Sequence, residues 1–199
     1  MTVFYPYYCG DFQEGALPLD VINPYNQSRV GSTYLLDLPQ MDKAIEYAYQ
    51  AVGRAAELYS FQKSEALLQI AEELNRQQEE FAFLICQESG KPLKLAYAEV
   101  ERAIQTFRIA AEESKRLPAE YISLDWTPQG KGKEGWINYF PIGVVAGISP
   151  FNFPLNLAVH KIPPAFASGC PIVLKQLSLT PLSGLALARI IPETRLHSG

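Results

Sequence analysis

The chain has 199 residues, 48% hydrophobic and 19% charged, enough for a substantial core; its 13 Gly and 15 Pro are too few and too aperiodic for a fibrous or low-complexity protein. Seventeen basic against twenty-one acidic residues give a formal net charge of −4, so there is no global positive field to hold a nucleic acid or an anionic membrane. Cys9, Cys86 and Cys170 lack the spacing of a disulfide framework or a zinc ligand set, and no run of about eighteen uncharged apolar residues could cross a bilayer. The expectations are a cytoplasmic protein with no metal, no membrane and no nucleic-acid partner.

Charge is distributed unevenly. Residues 41 to 117 carry 10 Lys/Arg and 13 Asp/Glu, whereas the 58 residues from Gly135 to Pro192 carry no acid and only Lys161, Lys175 and Arg189. The first region reads as helices with a solvated face, the second as elements buried on most sides. Ala44, Ile45, Ala48, Ala51, Val52 and Ala55 recur at helical spacing, with Asp37 as cap and Pro39 in the first turn. A second helix is expected from about Gln62 to Glu88, with Leu67, Leu68, Ala71, Leu74, Phe81, Leu84 and Ile85 as its apolar stripe, stopping at Gly90 and Pro92. A third places Val100, Ala103, Ile104, Phe107, Ala110 and Ala111 on one face and ends near Arg116.

From Tyr121 the pattern alternates. Ile122, Leu124 and Trp126, then Trp136 to Phe140, flank the Gly/Lys segment Gln129 to Gly135, which reads as a hairpin with an exposed tip. The uncharged run Ile142 to Ile148 reads as a buried central strand and Pro171 to Leu174 as another, with a helix from Asn156 to Ser168 between them and a last helix from Thr180-Pro181 through Ile191. Strand, helix, strand, helix at this spacing is a βαβα unit with a parallel sheet.

The chemically informative segment is Gly143-Val-Val-Ala-Gly-Ile-Ser-Pro-Phe-Asn-Phe-Pro-Leu155, a strand running into a turn with two prolines. Ligands of parallel α/β sheets bind beyond the carboxyl ends of the strands. There the Asn152 amide can aim a donor at an oxygen that becomes negative during reaction, or it can cap the next helix or satisfy the turn. Spacing alone leaves both open.

Pro141-Ile-Gly-Val-Val145, Pro150-Phe-Asn-Phe-Pro154, Pro164-Ala165 with Ser168-Gly169, Val173-Leu-Lys175 and Thr180-Pro-Leu-Ser183 together resemble, in order and spacing, the N-terminal half of the NAD(P)-dependent aldehyde dehydrogenases. Asn23-Pro24, Glu88-Ser-Gly-Lys-Pro92 and Glu99-Val100 extend the likeness over nearly the whole chain. It implies an incomplete α/β fold: a Rossmann-like parallel sheet with flanking helices and a protruding β-hairpin. Residues 1–118 and 141–199 would form the N-terminal part of the cofactor-binding domain and 119–140 an oligomerisation hairpin, without the catalytic domain. The implied chemistry is thiolate attack on an aldehyde, an oxyanion held by an Asn amide, hydride transfer to NAD or NADP and hydrolysis of a thioester to the acid.

By the same resemblance Asn152 is the oxyanion donor, and Ile148, Ser149, Pro150, Phe151, Asn152, Lys175, Gln176, Leu177 and Ser178 line the cofactor site, with Lys175 reaching the adenine-side ribose. Phe153, His160 and Lys161 are candidates for the substrate pocket; Lys161 reads equally well as a packed helix lysine. Two departures stand out. Gln176 replaces the usual Pro after the cofactor lysine, and Ser178 stands where NAD-preferring members often carry a Glu that would repel a 2′-phosphate. The chain stops matching before the family's nucleophilic Cys, general-base Glu and Gly-rich phosphate turn, and Pro192 to Gly199 resembles a family loop with Arg195 and His197 in place of Gly and Pro.

None of the three cysteines is expected to substitute for that nucleophile. Cys9 sits in a Tyr-rich strand, Cys86 on the apolar side of a helix and Cys170 at a helix-to-strand junction, none beside a cationic group. On these grounds the chain alone is expected to be inactive, the N-terminal portion of a homo-oligomeric enzyme acting on a small aldehyde. The alternatives are a truncated, non-catalytic relative serving as an assembly or interaction module, and a nucleotide-binding module without chemistry.

Overall fold

The computed structural model describes residues 2–191; the segment Pro192 to Gly199, likened above to a family motif, lies outside them. The chain opens with two antiparallel hairpins, β1 (Tyr7–Tyr8) with β2 (Asp11–Phe12) and β3 (Leu17–Ile22) with β4 (Arg29–Leu35). Cys9 is not in a strand. It and Gly10 form the turn between β1 and β2 with φ of 53° and 82°, the left-handed pair that suits the twist of a two-residue hairpin.

Helix α1 (Leu38–Gln50) starts as expected. The Asp37 carboxylate accepts from Gln40 N at 2.9 Å while the Gln40 side chain returns to Asp37 N, a reciprocal capping box, with Pro39 in the first turn. The expected single helix ends early: the Ala51 amide bonds to Ala48 O at 3.2 Å, tightening the last turn, and α2 (Val52–Glu57) follows. The second expected helix is also two, α3 (Ser60–Arg76) and α4 (Gln78–Ser89), broken where Gln77 leaves the helical region at ψ 16°. Gly90 then ends α4 in the left-handed conformation, φ 69°, its amide bonding Cys86 O at 3.0 Å. α5 (Leu93–Glu113) stops three residues short of Arg116.

The main core lies between α3, α4 and α5, where Leu67, Leu74, Phe81, Ile85, Val100 and Phe107 are fully enclosed. Leu68, expected on the stripe, is 39% exposed; Ile70 is buried instead. A protruding antiparallel hairpin follows, β5 (Ala119–Ser123) with β6 (Glu134–Asn138), Tyr121 opposite Trp136 with their rings edge to face at 5.1 Å. Leu124 and Trp126 fall in its connecting loop.

The parallel pair is present, but shorter than the apolar run suggests. β7 is Val145–Ile148 and β8 is Ile172–Lys175, in register Val145↔Ile172 to Ile148↔Lys175. Ile142 is outside, 87% exposed, because Pro141 has no amide to donate and Gly143 turns the chain through φ 108°. The expected helix between the strands is divided into α6 (Asn156–Val159) and α7 (Ile162–Ala167), since Pro163 and Pro164 cannot donate back to the preceding turn. α8 (Leu182–Ile190) runs back against the helical core. Among the described residues no helix is long and apolar enough to cross a membrane, and no group of three or more His, Cys, Asp or Glu could hold a metal ion.

Candidate active site

The two parallel strands end side by side. Ser149 N bonds Lys175 O at 3.1 Å, so the loops that leave β7 and β8 start together at the carboxyl edge of the pair. Gln176 ties them. Its Nε2 donates to Pro154 O at 2.8 Å and its Oε1 accepts from Ser149 Oγ at 3.2 Å. That placement requires Gly184 on α8, where a Cβ would overlap the Gln176 amide. Ser149 is fully buried with its hydroxyl turned inward, whereas Ile148, Pro150, Phe151 and Lys175 are exposed and Leu177 and Ser178 are half-buried.

Asn152 sits at the crest of the loop after β7, exposed, its amide without a hydrogen-bond partner among the described residues. Asn152 does not cap the next helix. The Glu99 carboxylate, reaching across from α5, accepts from Leu155 N at 3.0 Å and Asn156 N at 3.1 Å and so caps α6. Lys91 completes the arrangement: its ammonium pairs with Glu99, donates to Asn152 O at 3.0 Å and lies 4.1 Å from the centre of the Phe153 ring. Arg102 approaches the same ring at 5.0 Å.

Phe153 is therefore held among cations of the helical layer. Lys161 stands between α6 and α7 with Nζ on Leu157 O at 3.0 Å, and its stem covers β7 at Gly147, whose missing side chain leaves room for Leu174 and Ile172. His160 is exposed, its Nε2 3.3 Å from Asn156 Nδ2. Cys170 is buried; burial lowers the pKa of Lys63, and Cys170 acts electrostatically to raise it.

A second glutamate repeats the capping device. Glu88, at the end of α4, accepts from Leu182 N at 2.7 Å and Ser183 N at 3.1 Å, the first turn of α8. Burial pushes its pKa up to about 7 against the pull of those hydrogen bonds, and the charge of Glu99 adds to the rise. The roles of Glu88, Lys91 and Glu99 are not apparent from motif spacing. A signal exists nonetheless: Glu88 follows Leu84 and Ile85, and Glu99 precedes Ala103, on the apolar stripes of their helices, where a carboxylate needs a buried partner.

This geometry belongs to a known class. A sequence model of the aldehyde dehydrogenase family matches residues 12–199. The chain is 35% identical over 193 residues to the 3-sulfolactaldehyde dehydrogenase of Priestia aryabhattai, covering 97% of this chain and 40% of that protein. It superposes with a TM-score of 0.94 and 39% identity on aldehyde dehydrogenase 21 from Physcomitrella patens, solved with the reaction product succinate, over 98% of this chain and 40% of that one. The NADP-dependent glyceraldehyde-3-phosphate dehydrogenase of Bacillus halodurans, solved with NADP, matches at TM-score 0.91 and 29% identity, over 96% and 41%. The chain belongs to the aldehyde dehydrogenase family. It spans about 40% of the length of the relatives it matches and corresponds to their N-terminal portion.

Proposed function

We propose that the protein carrying this chain oxidises an aldehyde to a carboxylic acid with NAD or NADP, and that this chain contributes the oxyanion donor and one wall of the cofactor cleft. The observation that carries the reading is the Asn152 amide, exposed and unpartnered at the carboxyl edge of a parallel strand pair, with its backbone held at several points. When a nucleophile adds to the aldehyde carbon, the carbonyl oxygen gains charge and the Asn152 Nδ2 donates to it. A cysteine nucleophile and a glutamate base act from outside the residues of this chain.

The strand ends suit the cofactor. Ile148 and Phe151 offer exposed apolar surface to a flat ring, and the Lys175 ammonium, exposed and without a partner among the described residues, can donate to ribose hydroxyls or a 2′-phosphate. NAD(P) bound there supplies the hydride acceptor. Ser178 adds no negative charge beside Lys175, which favours acceptance of NADP. Residues 1–118 and 141–199 belong in this reading to the cofactor-binding domain. The 119–140 segment, the β5–β6 hairpin with the two residues after it, has Tyr121, Trp136, Tyr139 and Phe140 more than half exposed and is a subunit contact of a cytoplasmic homo-oligomer.

The test is an assay of the protein carrying this chain with short aldehydes and each cofactor. Wild type is expected to reduce NADP at least as well as NAD, and Asn152→Ala to lower kcat by about 10²- to 10³-fold with cofactor affinity retained. Loss confined to cofactor binding would remove Asn152 from the chemistry; absence of turnover in the wild type would overturn the reading.

A further inference from the structure

We propose that Lys91 is the positioning residue for Asn152, aiming its amide by holding the backbone of the turn; this rests on the oxyanion reading above. Asn152 lies outside every helix and strand, and no protein group fixes its side chain among the described residues. Its aim is set by the backbone. Downstream, the Glu99 carboxylate fixes the Leu155 and Asn156 amides and Gln176 fixes Pro154 O. At residue 152 itself the anchor is the Lys91 ammonium on the carbonyl oxygen, 3.0 Å away and 61 residues distant in sequence.

The same ammonium also faces the Phe153 ring at 4.1 Å, so one group restrains two successive residues of the turn. Glu99 makes this possible. Fully buried, it pairs with Lys91, whose side chain is 12% exposed, and thereby holds the cation in place while its other oxygen caps α6. Three tetrahedral N–H donors can serve a carboxylate and a carbonyl beneath a ring face; a planar guanidinium presents its donors in a flat fork and cannot reproduce that convergence.

The experiment compares Lys91→Met and Lys91→Arg in the protein carrying this chain, alone and combined with Asn152→Ala. Lys91→Met is expected to lower kcat roughly 10- to 100-fold with little change in KM for the cofactor, the scale of a misaimed group. Arg restores the counter-charge of Glu99, so thermal stability is expected to recover while kcat does not. On the Asn152→Ala background Lys91→Met is expected to cost almost nothing more, because the amide it aims is gone. A kcat that recovers with stability in Lys91→Arg, or a full multiplicative loss on the Asn152→Ala background, overturns the proposal. If Asn152→Ala itself leaves kcat unchanged, the oxyanion reading fails instead. A readout independent of turnover is amide hydrogen exchange: Lys91→Met is expected to speed exchange in the 151–156 peptide about tenfold relative to β7 and β8, and unchanged exchange there also overturns the positioning role.

Discussion

Glu99 and Glu88 perform the same task in two environments. Each is a buried carboxylate projecting from the helical layer to hold the first amides of a helix that follows a sheet loop, Glu99 for α6 and Glu88 for α8. Glu99 has Lys91 beside it, whereas no ion pair with a cation is found for Glu88 among the described residues. Burial alone disfavours a carboxylate; a hydrogen-bonded cation offsets the cost, and two amide donors offset it only in part. The paired glutamate lies under the Asn152 turn, and the unpaired one is the group whose pKa is driven to about 7. The carboxylate without a cation is the one that can take up a proton near neutral pH.

Removing each carboxylate tests that difference. Glu99→Ala strips the counter-charge from Lys91 and the acceptor from two buried amides, a change expected to cost about 3–5 kcal/mol in denaturant unfolding. A loss under about 1 kcal/mol would show that solvent replaces the carboxylate and would end the contrast with Glu88.

Glu88 yields a smaller, pH-dependent effect. Its folded pKa, about 7, lies above the ordinary carboxylate value of 4.5, so between these values the folded protein holds a proton that the unfolded chain has released. Its contribution is fully present below about pH 4.5 and is lost as pH rises toward about 7, by on the order of 3 kcal/mol at most. Glu88→Gln cannot titrate. The stability of wild type relative to this variant is therefore expected to fall across that window and to level off above it, measured by urea unfolding at a series of pH values; a flat difference would mean that Glu88 stays ionised throughout the window.

The smallest effect is expected at Gln176. Gln176→Ala leaves Pro154 O without its donor and is expected to cost about 1 kcal/mol, with kcat lowered less than by Lys91→Met, since Lys91 and Glu99 still hold the turn. A larger kcat loss than that of Lys91→Met would transfer control of the turn to the β8 side.

The elements legible in the sequence are those that local rules govern. The stripe Val100, Ala103, Ile104, Phe107 is buried as its spacing requires, Asp37 caps, Gly90 terminates, and the β5–β6 hairpin forms around its Gly/Lys loop. Where local rules compete, boundaries move: tandem prolines divide the helix after Asn152, and Gln77 interrupts an apolar stripe that itself continues. In the candidate site, motif order places Asn152, Lys175 and Gln176 at strand ends. It does not disclose that Gln176 turns away from the open edge to join Ser149 with Pro154.

By itself the sequence determined the apolar periodicities, the caps and stops, the βαβ order and the motif set that marks the family, because each depends on residues a few positions apart or on their order along the chain. Only the tertiary structure decided which buried glutamate receives a cation and that Lys91 meets Asn152 across 61 residues. Those partnerships depend on how α3, α4 and α5 pack against the strand pair and its loops. Burial then sets the strength of each charge interaction, and burial is a property of the assembled core.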